Sequence, residues 1–316
     1  MKKLLVILLT VCSVSVLVAA DIGTGNFPFL NLPADARNAG VSGASVASVD
    51  DITALYWNPG GLGSLQSQEL MATYLSHIMG MNYMYAAYGQ KAGTGAFAFS
   101  ITFLSGVEQE GYDELGNVED SFRNSSFAIT GGYGTKLGER LSLGGNLRFA
   151  NETAGGLALS GIMLDGGIQF IALRSLVSEL ILGLAVANIG FSNDETPALL
   201  RAGLTYEYMM RHITLAPMID IDLVKGSKPS VNIGTEVTIV ELYYVRLGYE
   251  IAFGGSDVGG ADGLAIGVGG NFSGVAADIS WQPQGFMGNT YIFSVGYAFK
   301  GISDVNMAEE LDYDSQ

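Results

Sequence analysis

The stretch that decides the fold of this chain reads Leu242-Tyr243-Tyr244-Val245-Arg246-Leu247-Gly248-Tyr249-Glu250-Ile251-Ala252-Phe253. Apolar side chains stand at every second position from Tyr243 onward, and the positions between them include Arg246 and Glu250. A period of two places alternate side chains on opposite faces of a β-strand. The stretch therefore predicts a strand with one apolar face and one more polar face.

The same alternation recurs along most of the chain. It is clear in Val231 to Glu241, Gly274 to Gln282 and Thr290 to Phe299. Weaker forms occupy Glu69 to His77, Met81 to Gln90, Thr94 to Phe103, Ser125 to Thr135, Leu141 to Asn151, Ser160 to Ile171, Leu180 to Ile189, Leu200 to Tyr208, His212 to Leu223 and Gly263 to Phe272. Together they predict about fourteen strands of about ten residues, the length that a tilted strand needs to cross a membrane.

The composition favours a membrane protein that crosses with strands. The chain has 44 glycines, 15 tyrosines and 15 phenylalanines, only 15% charged residues, and a mean hydropathy of +0.32. After Ala20 no window reaches the roughly 20 apolar residues of a membrane-spanning helix. Every backbone polar group in lipid must be paired, and a closed barrel satisfies this requirement. The prediction is an all-β fold: a transmembrane antiparallel β-barrel of about 14 strands over residues 65–300.

A secreted, soluble β-sandwich is the alternative fold, because it also shows alternation and turns. Its outward face would be polar and charged throughout, whereas these strands combine long apolar stripes with sparse charge opposite them. The net charge of −16 argues against nucleic acid as a partner. The predicted location is the bacterial outer membrane, with outer-membrane lipid as the first partner.

The two ends of the chain are predicted to lie outside the barrel. Residues 1–20 have a basic start, an apolar run and a small-residue site before Asp21, which is typical of a signal peptide; a single-pass anchor is the alternative. Cys12, the only cysteine, lies within this segment, so the exported chain has no disulfide and no thiol nucleophile. Residues 301–316 are acidic without pattern and are interpreted as a disordered tail.

Residues 21–64 alternate poorly and are interpreted as a plug inside the barrel. Asp50 or Asp51 is placed to cap a short helix that runs through Tyr56, and Pro59 ends it. A shorter helical turn is expected between Pro33 and Gly40. The plug is either a hatch that closes the lumen or a fixed filler that stabilises the barrel. The candidate plug or gate residues are Asn31, Pro33, Arg37, Asp50, Asp51, Trp57, Asn58, Pro59, Gly60 and Gly61.

Charged residues on the polar faces of the strands are predicted to face a wet lumen. Arginines among them are expected to pair with acids across the lumen or on the plug rather than to bind a ligand. The candidate lumen residues are Arg148, Asp165, Arg201, Glu207, Asp220, Asp222, Glu236, Arg246, Glu250 and Asp278.

Enzymatic chemistry has little support in the sequence. His77 and His212 are the only histidines, and both lie beside predicted turns. No serine sits in a Gly-x-Ser-x-Gly motif, so no catalytic residue is assigned. The acidic loop Asp113 to Asp120 is rich in oxygen ligands but lacks the spacing of an EF-hand, and a solvated loop is preferred over a calcium site. No metal or other cofactor is predicted.

The plug carries a resemblance to a known family. Leu32 to Gly40, Gly43 to Ala47, Asp50-Asp51 and Ala54 to Leu62 resemble the N-terminal signature of the PorV/PorQ family, whose members are outer-membrane barrels related to the FadL-like long-chain fatty acid transporters. The FadL-like pattern has Asn-Pro-Ala where this chain has Asn58-Pro59-Gly60. The strands beyond the plug match the family mainly in rhythm.

The resemblance implies a protein without enzymatic activity. The leading interpretation is a PorV/PorQ-type barrel in type IX-like secretion or in the passage of hydrophobic cargo. Its partners would then be secretion-system proteins or hydrophobic small molecules. The alternatives are a FadL-like uptake channel for hydrophobic compounds and a closed structural or adhesive surface barrel.

Overall fold

The computed structural model describes residues 26–112, 118–154, 157–190, 196–253 and 261–299. The predicted signal peptide (1–20) and acidic tail (301–316) lie outside the described residues, as do residues 113–117 of the acidic loop. Within the described ranges, no helix has both the length and the apolar character needed to cross a membrane.

Fourteen antiparallel strands close into a barrel in which each strand pairs with its neighbours in sequence and β1 pairs with β14. The strands are β1 (Glu69–Ser76), β2 (Asn82–Ala92), β3 (Gly95–Tyr112), β4 (Val118–Leu137), β5 (Leu141–Ala154), β6 (Leu157–Arg174), β7 (Ser178–Gly190), β8 (Leu199–Met209), β9 (Ile213–Val224), β10 (Ser230–Ile239), β11 (Tyr243–Ala252), β12 (Leu264–Phe272), β13 (Val275–Pro283) and β14 (Asn289–Ala298). The predicted fold class and strand number are confirmed.

Two strands are longer than the alternation predicts. The predicted segments end at Phe103 and begin again at Ser125, but β3 continues to Tyr112 and β4 begins at Val118, and the two extensions form a ribbon with irregular register. Glu108 pairs with Arg123 and Gln109 with Phe122 in this extension. A ribbon that continues beyond the lipid needs no apolar face, and so the alternation that marks the spanning part fades there.

The barrel has two distinct ends. At one end, which we call the turn end, β1 begins, β14 ends, and the strands are joined by short turns such as Gly93-Thr94. The opposite end, the loop end, carries the longer links, including those that follow Gly190 and Ala252. Outer-membrane barrels have short periplasmic turns and longer extracellular loops, so we expect the loop end to face the cell exterior.

The outer face of the wall is apolar. Phe99, Ile101, Leu147 and Val295 are exposed large apolar residues, and Ile251 belongs to the same outward-facing set. The alternate positions point inward and carry small or polar residues such as those of β3 and β5. This arrangement meets lipid with an apolar band and leaves a polar interior for the plug.

The plug, residues 26–64, fills the barrel with four short helical segments. They are a 3-10 helix at Pro28–Asn31, α1 (Ala36–Ala39), α2 (Ala54–Trp57) and a second 3-10 helix at Pro59–Ser64. Apolar plug residues form buried clusters with wall residues of β1 to β3 and of β4 to β6.

The capping of these segments differs in part from the prediction. Asp35 caps α1, because its side chain accepts a hydrogen bond from the Asn38 backbone N–H, and the segment ends at Gly40 as expected. The second helix is shorter than expected, because Asp51 accepts instead from the backbone N–H of Thr53, before α2 begins. Pro59 ends α2 and also opens a 3-10 helix that the sequence interpretation missed.

Candidate functional site

Trp57 lies at the centre of the plug and is held from two directions. Its indole N–H donates a hydrogen bond of 2.7 Å to Asp35. The guanidinium of Arg201 on β8 lies 4.8 Å from the centre of the indole ring, and it donates a hydrogen bond of 3.4 Å to the Trp57 carbonyl oxygen. The side chain thus joins α1, α2 and the wall, and only 5% of it is exposed.

Asp35 organises the polar centre of the plug. Besides the bond from Trp57, it accepts hydrogen bonds from the Asn38 backbone and side-chain amides, and Asn38 in turn donates to Thr53. Burial raises the pKa of the Asp35 carboxyl, and the hydrogen bonds from Asn38 and Trp57 oppose that shift. This set of contacts fixes α1 against α2.

Arg37 links the plug to the charged side of the wall. It forms ion pairs with Asp51 at 2.9 Å and Asp50 at 3.3 Å within the plug, and with Glu236 on β10 at 3.4 Å. The Glu236 carboxylate raises the pKa of the Arg37 guanidinium well above its usual value, although burial acts in the opposite direction. Glu236 also pairs with the buried Arg246 at 2.5 Å.

Other ion pairs lie entirely within the wall. Arg246 reaches Asp278 at 2.5 Å, and Arg201 reaches Asp222 at 3.0 Å. On the other side of the barrel, Arg148 pairs with Asp165 at 2.9 Å. These arginines pair with acids inside the barrel, but their partners lie on adjacent or next-but-one wall strands and not across the lumen or on the plug, as was expected.

Wall side chains also capture the backbone of the plug. Asp220 on β9 accepts hydrogen bonds from the backbone N–H groups of Ser45 and Val46, at 2.7 and 2.8 Å. Gln169 on β6 donates to the carbonyl oxygen of Val49 at 2.7 Å. Such bonds satisfy plug backbone groups that are buried away from water.

Asn58 and the residues after it lie directly against the wall. The Asn58 side chain donates to the carbonyl oxygens of Val46 and Ile168, and it accepts from the Gly60 backbone N–H. A Cβ atom on Gly61 would collide with the carbonyl oxygen of Val49. The Asn58-Pro59-Gly60-Gly61 sequence therefore forms a tight turn between the plug and the strands.

The plug also meets the wall through an apolar cluster. Ile52, Leu55 and Leu62 of the plug belong to one buried cluster with Leu75 of β1 and with Tyr83 and Tyr85 of β2. We call this contact the apolar seam, defined by those six residues. It contains none of the ion pairs described above.

Two cavities flank the plug. The turn-end cavity, about 270 Å³, is lined by Arg37, Asp50, Asp51 and Glu69 among others. The loop-end cavity, about 280 Å³, is lined by Pro33, Trp57, Leu199, Asn232 and Glu250 among others. The segments Pro33 to Ala39 and Asp50 to Trp57 lie between them.

A narrow cleft adjoins the apolar seam. Its volume of about 10 Å³ has room for about one water molecule. The lining combines apolar and aromatic residues with polar ones: Leu30, Leu55, Tyr56, Tyr83, Tyr85, Ser100, Thr102, Thr130 and Arg148. Tyr56 also lines the loop-end cavity, so the cleft and that cavity share a wall. We call this space the aromatic cleft.

The remaining residues singled out from the sequence lie at different places in and around the barrel. Asn31 lines the loop-end cavity, and Glu250 does so from β11. Glu207 lies half-buried on the inward-facing side of β8. His77 lies beside a turn, as expected, and its ring nitrogen is within 3.1 Å of Thr290. Among the described residues there is no group of histidine, cysteine and acidic side chains placed to hold a metal ion.

Sequence reasoning missed several polar residues of this site. Three wall amides face the plug: Gln169, Asn146 and Asn232. A fourth, Asn188, accepts a hydrogen bond from the Arg148 guanidinium. Uncharged amides at inward positions are the available signal in the sequence, but an amide marks a wet lumen less clearly than a charged side chain does. Tyrosines of membrane barrels are typical of the aromatic girdles that face lipid, but Tyr83 and Tyr85 are buried against the plug.

Comparison with known proteins shows which solved structures share this fold. No family model matches the sequence, and no curated protein matches it. Among solved structures, a FadL homologue of Pseudomonas aeruginosa superposes with a TM-score of 0.52 at 9% identity, covering 84% of this chain and 98% of that one. The fold is that of the FadL-type outer-membrane barrels.

Two toluene transporters have the same fold. TbuX of Ralstonia pickettii gives a TM-score of 0.53 at 11% identity, covering 85% of this chain and 100% of that one. TodX of Pseudomonas putida gives 0.52 at 13% identity, covering 81% and 96%. A closed barrel with this fold and an apolar outer face is a bacterial outer-membrane protein, as predicted. The finer PorV/PorQ assignment stays a prediction.

Proposed function

We propose that this chain is a FadL-like channel that carries small hydrophobic compounds across the outer membrane. The observation that supports this proposal best is the apolar seam. It gives the plug one side where an apolar compound would replace apolar contacts without breaking an ion pair. The same-fold proteins that are named as toluene transporters agree with a cargo of this kind.

The charged side of the plug would serve as its anchor. The Arg37–Glu236 pair and the bonds from Ser45 and Val46 to Asp220 fasten the plug to β9 and β10. A small rotation about these anchors would widen the seam and the aromatic cleft. Cargo would then pass from the loop-end cavity along Tyr56 toward the turn end. Under this proposal, the hatch interpretation of the plug is preferred to the fixed filler.

Secretion receives less support. No contact within the described residues favours a protein cargo, and the comparisons favour small hydrophobic compounds. The secretion interpretation is therefore not carried further.

Uptake by intact cells tests the proposal, because lipopolysaccharide slows the direct entry of apolar compounds that would cross a simple lipid vesicle. A Gram-negative host that lacks its own FadL-type transporter would express the full chain, and the initial uptake rate of radiolabelled toluene would be measured. We expect a higher rate than with an empty vector. An equal rate would remove the proposal and leave a closed structural barrel.

A pair of variants locates the route. Leu55→Ala shortens a seam side chain that also lines the aromatic cleft, and we expect it to raise toluene uptake. Leu147→Ala is the matched control, because Leu147 is exposed on the outer face of β5. If both variants change uptake equally, the seam is not the route.

A further inference from the structure

Three exposed basic residues lie on the rim at the turn end of the barrel. Lys91 lies near the end of β2, Lys136 near the end of β4, and Arg140 in the turn that follows β4. None of the three forms an ion pair within the part of the chain that the structure describes. We call these three residues the basic arc.

The basic arc belongs to the inner side of the wall. Lys91 is paired in register with Ala96, which is fully buried, and Lys136 is paired with Ser142, which is 7% exposed. Side chains of directly paired residues lie on the same face of a sheet. Lys91 and Lys136 therefore border the mouth of the barrel, whereas lipid headgroups surround its outer face.

The rest of the described structure supplies little counter-charge to the arc. The nearby part of the plug is the 3-10 helix Pro59–Ser64, which lies against the backbone of β4 at Lys136 and has no charged residue. Glu69 on β1 accepts a hydrogen bond from the plug backbone instead. Glu139 is the one acidic residue in the turn that holds Arg140, so the arc and this turn together have a formal charge of +2.

The acidic tail is attached to the same end of the barrel. Residues 301–316 lie outside the described residues, and their sequence has no basic residue and five acidic ones: Asp304, Glu309, Glu310, Asp312 and Asp314. The backbone N–H of Phe299, just before the tail, donates to the Gln68 carbonyl oxygen at 2.8 Å. Lys91 donates to the Gln66 side chain at 3.2 Å, so the start of the tail and the arc contact the same short segment.

The tail is long enough to reach the whole arc. From β14 to β4 there are four strand spacings of about 4.8 Å each, or about 20 Å along the rim. An extended chain spans about 3.3 Å per residue, so the ten residues from 300 to 309 cover up to about 33 Å. The acidic half of the tail can therefore lie beside Lys136 and Arg140.

We propose that the basic arc is a docking surface for the acidic tail of the same chain. The tail runs along the inner rim from β14 past β1, and its carboxylates lie against Lys91, Lys136 and Arg140. Single exposed ion pairs are weak and are screened by salt, so the contact depends on several charges and on the covalent link to β14. This inference is independent of the proposed transport.

Distances between two spin labels test the docking. Thr94 is exposed in the turn between β2 and β3, beside the arc, and Tyr313 lies among the tail acids. The full chain with Thr94→Cys and Tyr313→Cys would be labelled and measured in detergent by double electron–electron resonance. We expect a narrow, short distance distribution at low salt. It should become broad in 1 M salt, where the Debye length is about 3 Å.

Two double variants assign the contact to the arc. Lys136→Gln/Arg140→Gln should broaden the distribution at low salt. Arg174→Gln/Arg211→Gln is the matched control, because it removes two exposed cations from other turns at the same end, and it should keep the distribution narrow. The salt comparison needs no change in the arc, so it still decides the matter if an arc variant does not fold.

Three outcomes would overturn the docking, whether or not the cells take up toluene. The first is a distribution that is already broad at low salt. The second is equal broadening in the two double variants, which would show a general effect of net charge. The third is a narrow distribution in detergent that becomes broad in nanodiscs of anionic phospholipid at the same salt, which would assign the arc to lipid headgroups.

Discussion

Glycines on the inner face of the wall let the plug backbone lie directly against the strands. A Cβ atom on Gly144 of β5 would collide with the carbonyl group of Pro59, and one on Gly167 of β6 would collide with the Asn58 side chain. Backbone atoms cannot move aside as the end of a long side chain can. The position of the plug therefore depends on the absence of side chains at a few wall residues.

Gly144 and Gly145 provide a matched test of this dependence. Gly144→Ala should lower the free energy of unfolding by about 1–3 kcal/mol, the usual cost of overpacking a tight contact. Gly145→Ala should not lower it, because the nearest heavy atom to a Cβ there is the Asp165 carbonyl oxygen at 3.4 Å. Urea unfolding of the detergent-solubilised barrels would measure both, and an equal loss in the two variants would contradict the contact.

Arg201 has two roles at the residue level, since it pairs with Asp222 and covers the Trp57 ring. Arg201→Met leaves a buried carboxylate without its partner, a change that costs about 3–5 kcal/mol. The double variant Arg201→Met/Asp222→Leu removes both charges and should recover most of this loss. The same urea assay applies. A double variant no more stable than the single one would show that the Trp57 contact dominates.

At the level of elements, Arg37 is one of three links between α1 and the wall, beside the hydrogen bonds from Ala36 to Ser294 and from Gln282 to Ala39. We expect Arg37→Met to loosen the plug and increase the frequency of open events in single-channel recordings from planar bilayers. The side chain is 29% exposed, so salt screening should weaken the wild-type contact in the same direction. Arg174→Met is the control, because it breaks the Arg174–Glu179 pair at the turn end, away from the plug. Equal gating in the two variants would exclude the Arg37 contact as a fastening.

The elements also show how far the sequence alone leads. Alternation as in Leu242 to Phe253 predicts strand number and inward or outward facing, because both follow from a period of two. It does not predict where β3 and β4 end, since a ribbon outside the lipid has no apolar face to mark it. Helix signals placed α1 correctly but misassigned the cap of α2, where Asp51 bonds instead to Thr53.

Contacts between distant residues were beyond sequence reasoning for a different reason. The charged lumen residues were identifiable because charge on an alternating strand is rare and avoids lipid. The close approach of Pro59 to Gly144 and the hydrogen bonds from the plug backbone to Asp220 depend on which strand faces which part of the plug. That arrangement is set by barrel register and closure, which periodicity does not determine.

For the whole molecule, the pattern of ion pairs indicates that the wall does not need the plug in order to close. Arg148, Arg201 and Arg246 each have an acidic partner on another wall strand. All fourteen strands have both neighbours paired without any plug residue. Asp220 and Gln169 would lose their plug partners, but water in an open lumen would replace those hydrogen bonds.

Deleting Asn31 to Leu62 should therefore leave a folded barrel with raised permeability. Folding would be read from heat-dependent mobility on gels, and permeability from single-channel conductance, with the wild-type chain as the control. The apolar side makes this a demanding test, because the deletion exposes Leu75, Tyr83 and Tyr85 to a wet lumen. If the shortened chain fails to fold, the seam is a structural core, the plug is a fixed filler, and opening along it is excluded. A folded barrel with large, steady conductance would show instead that the wall carries its own stability and that the plug alone closes it.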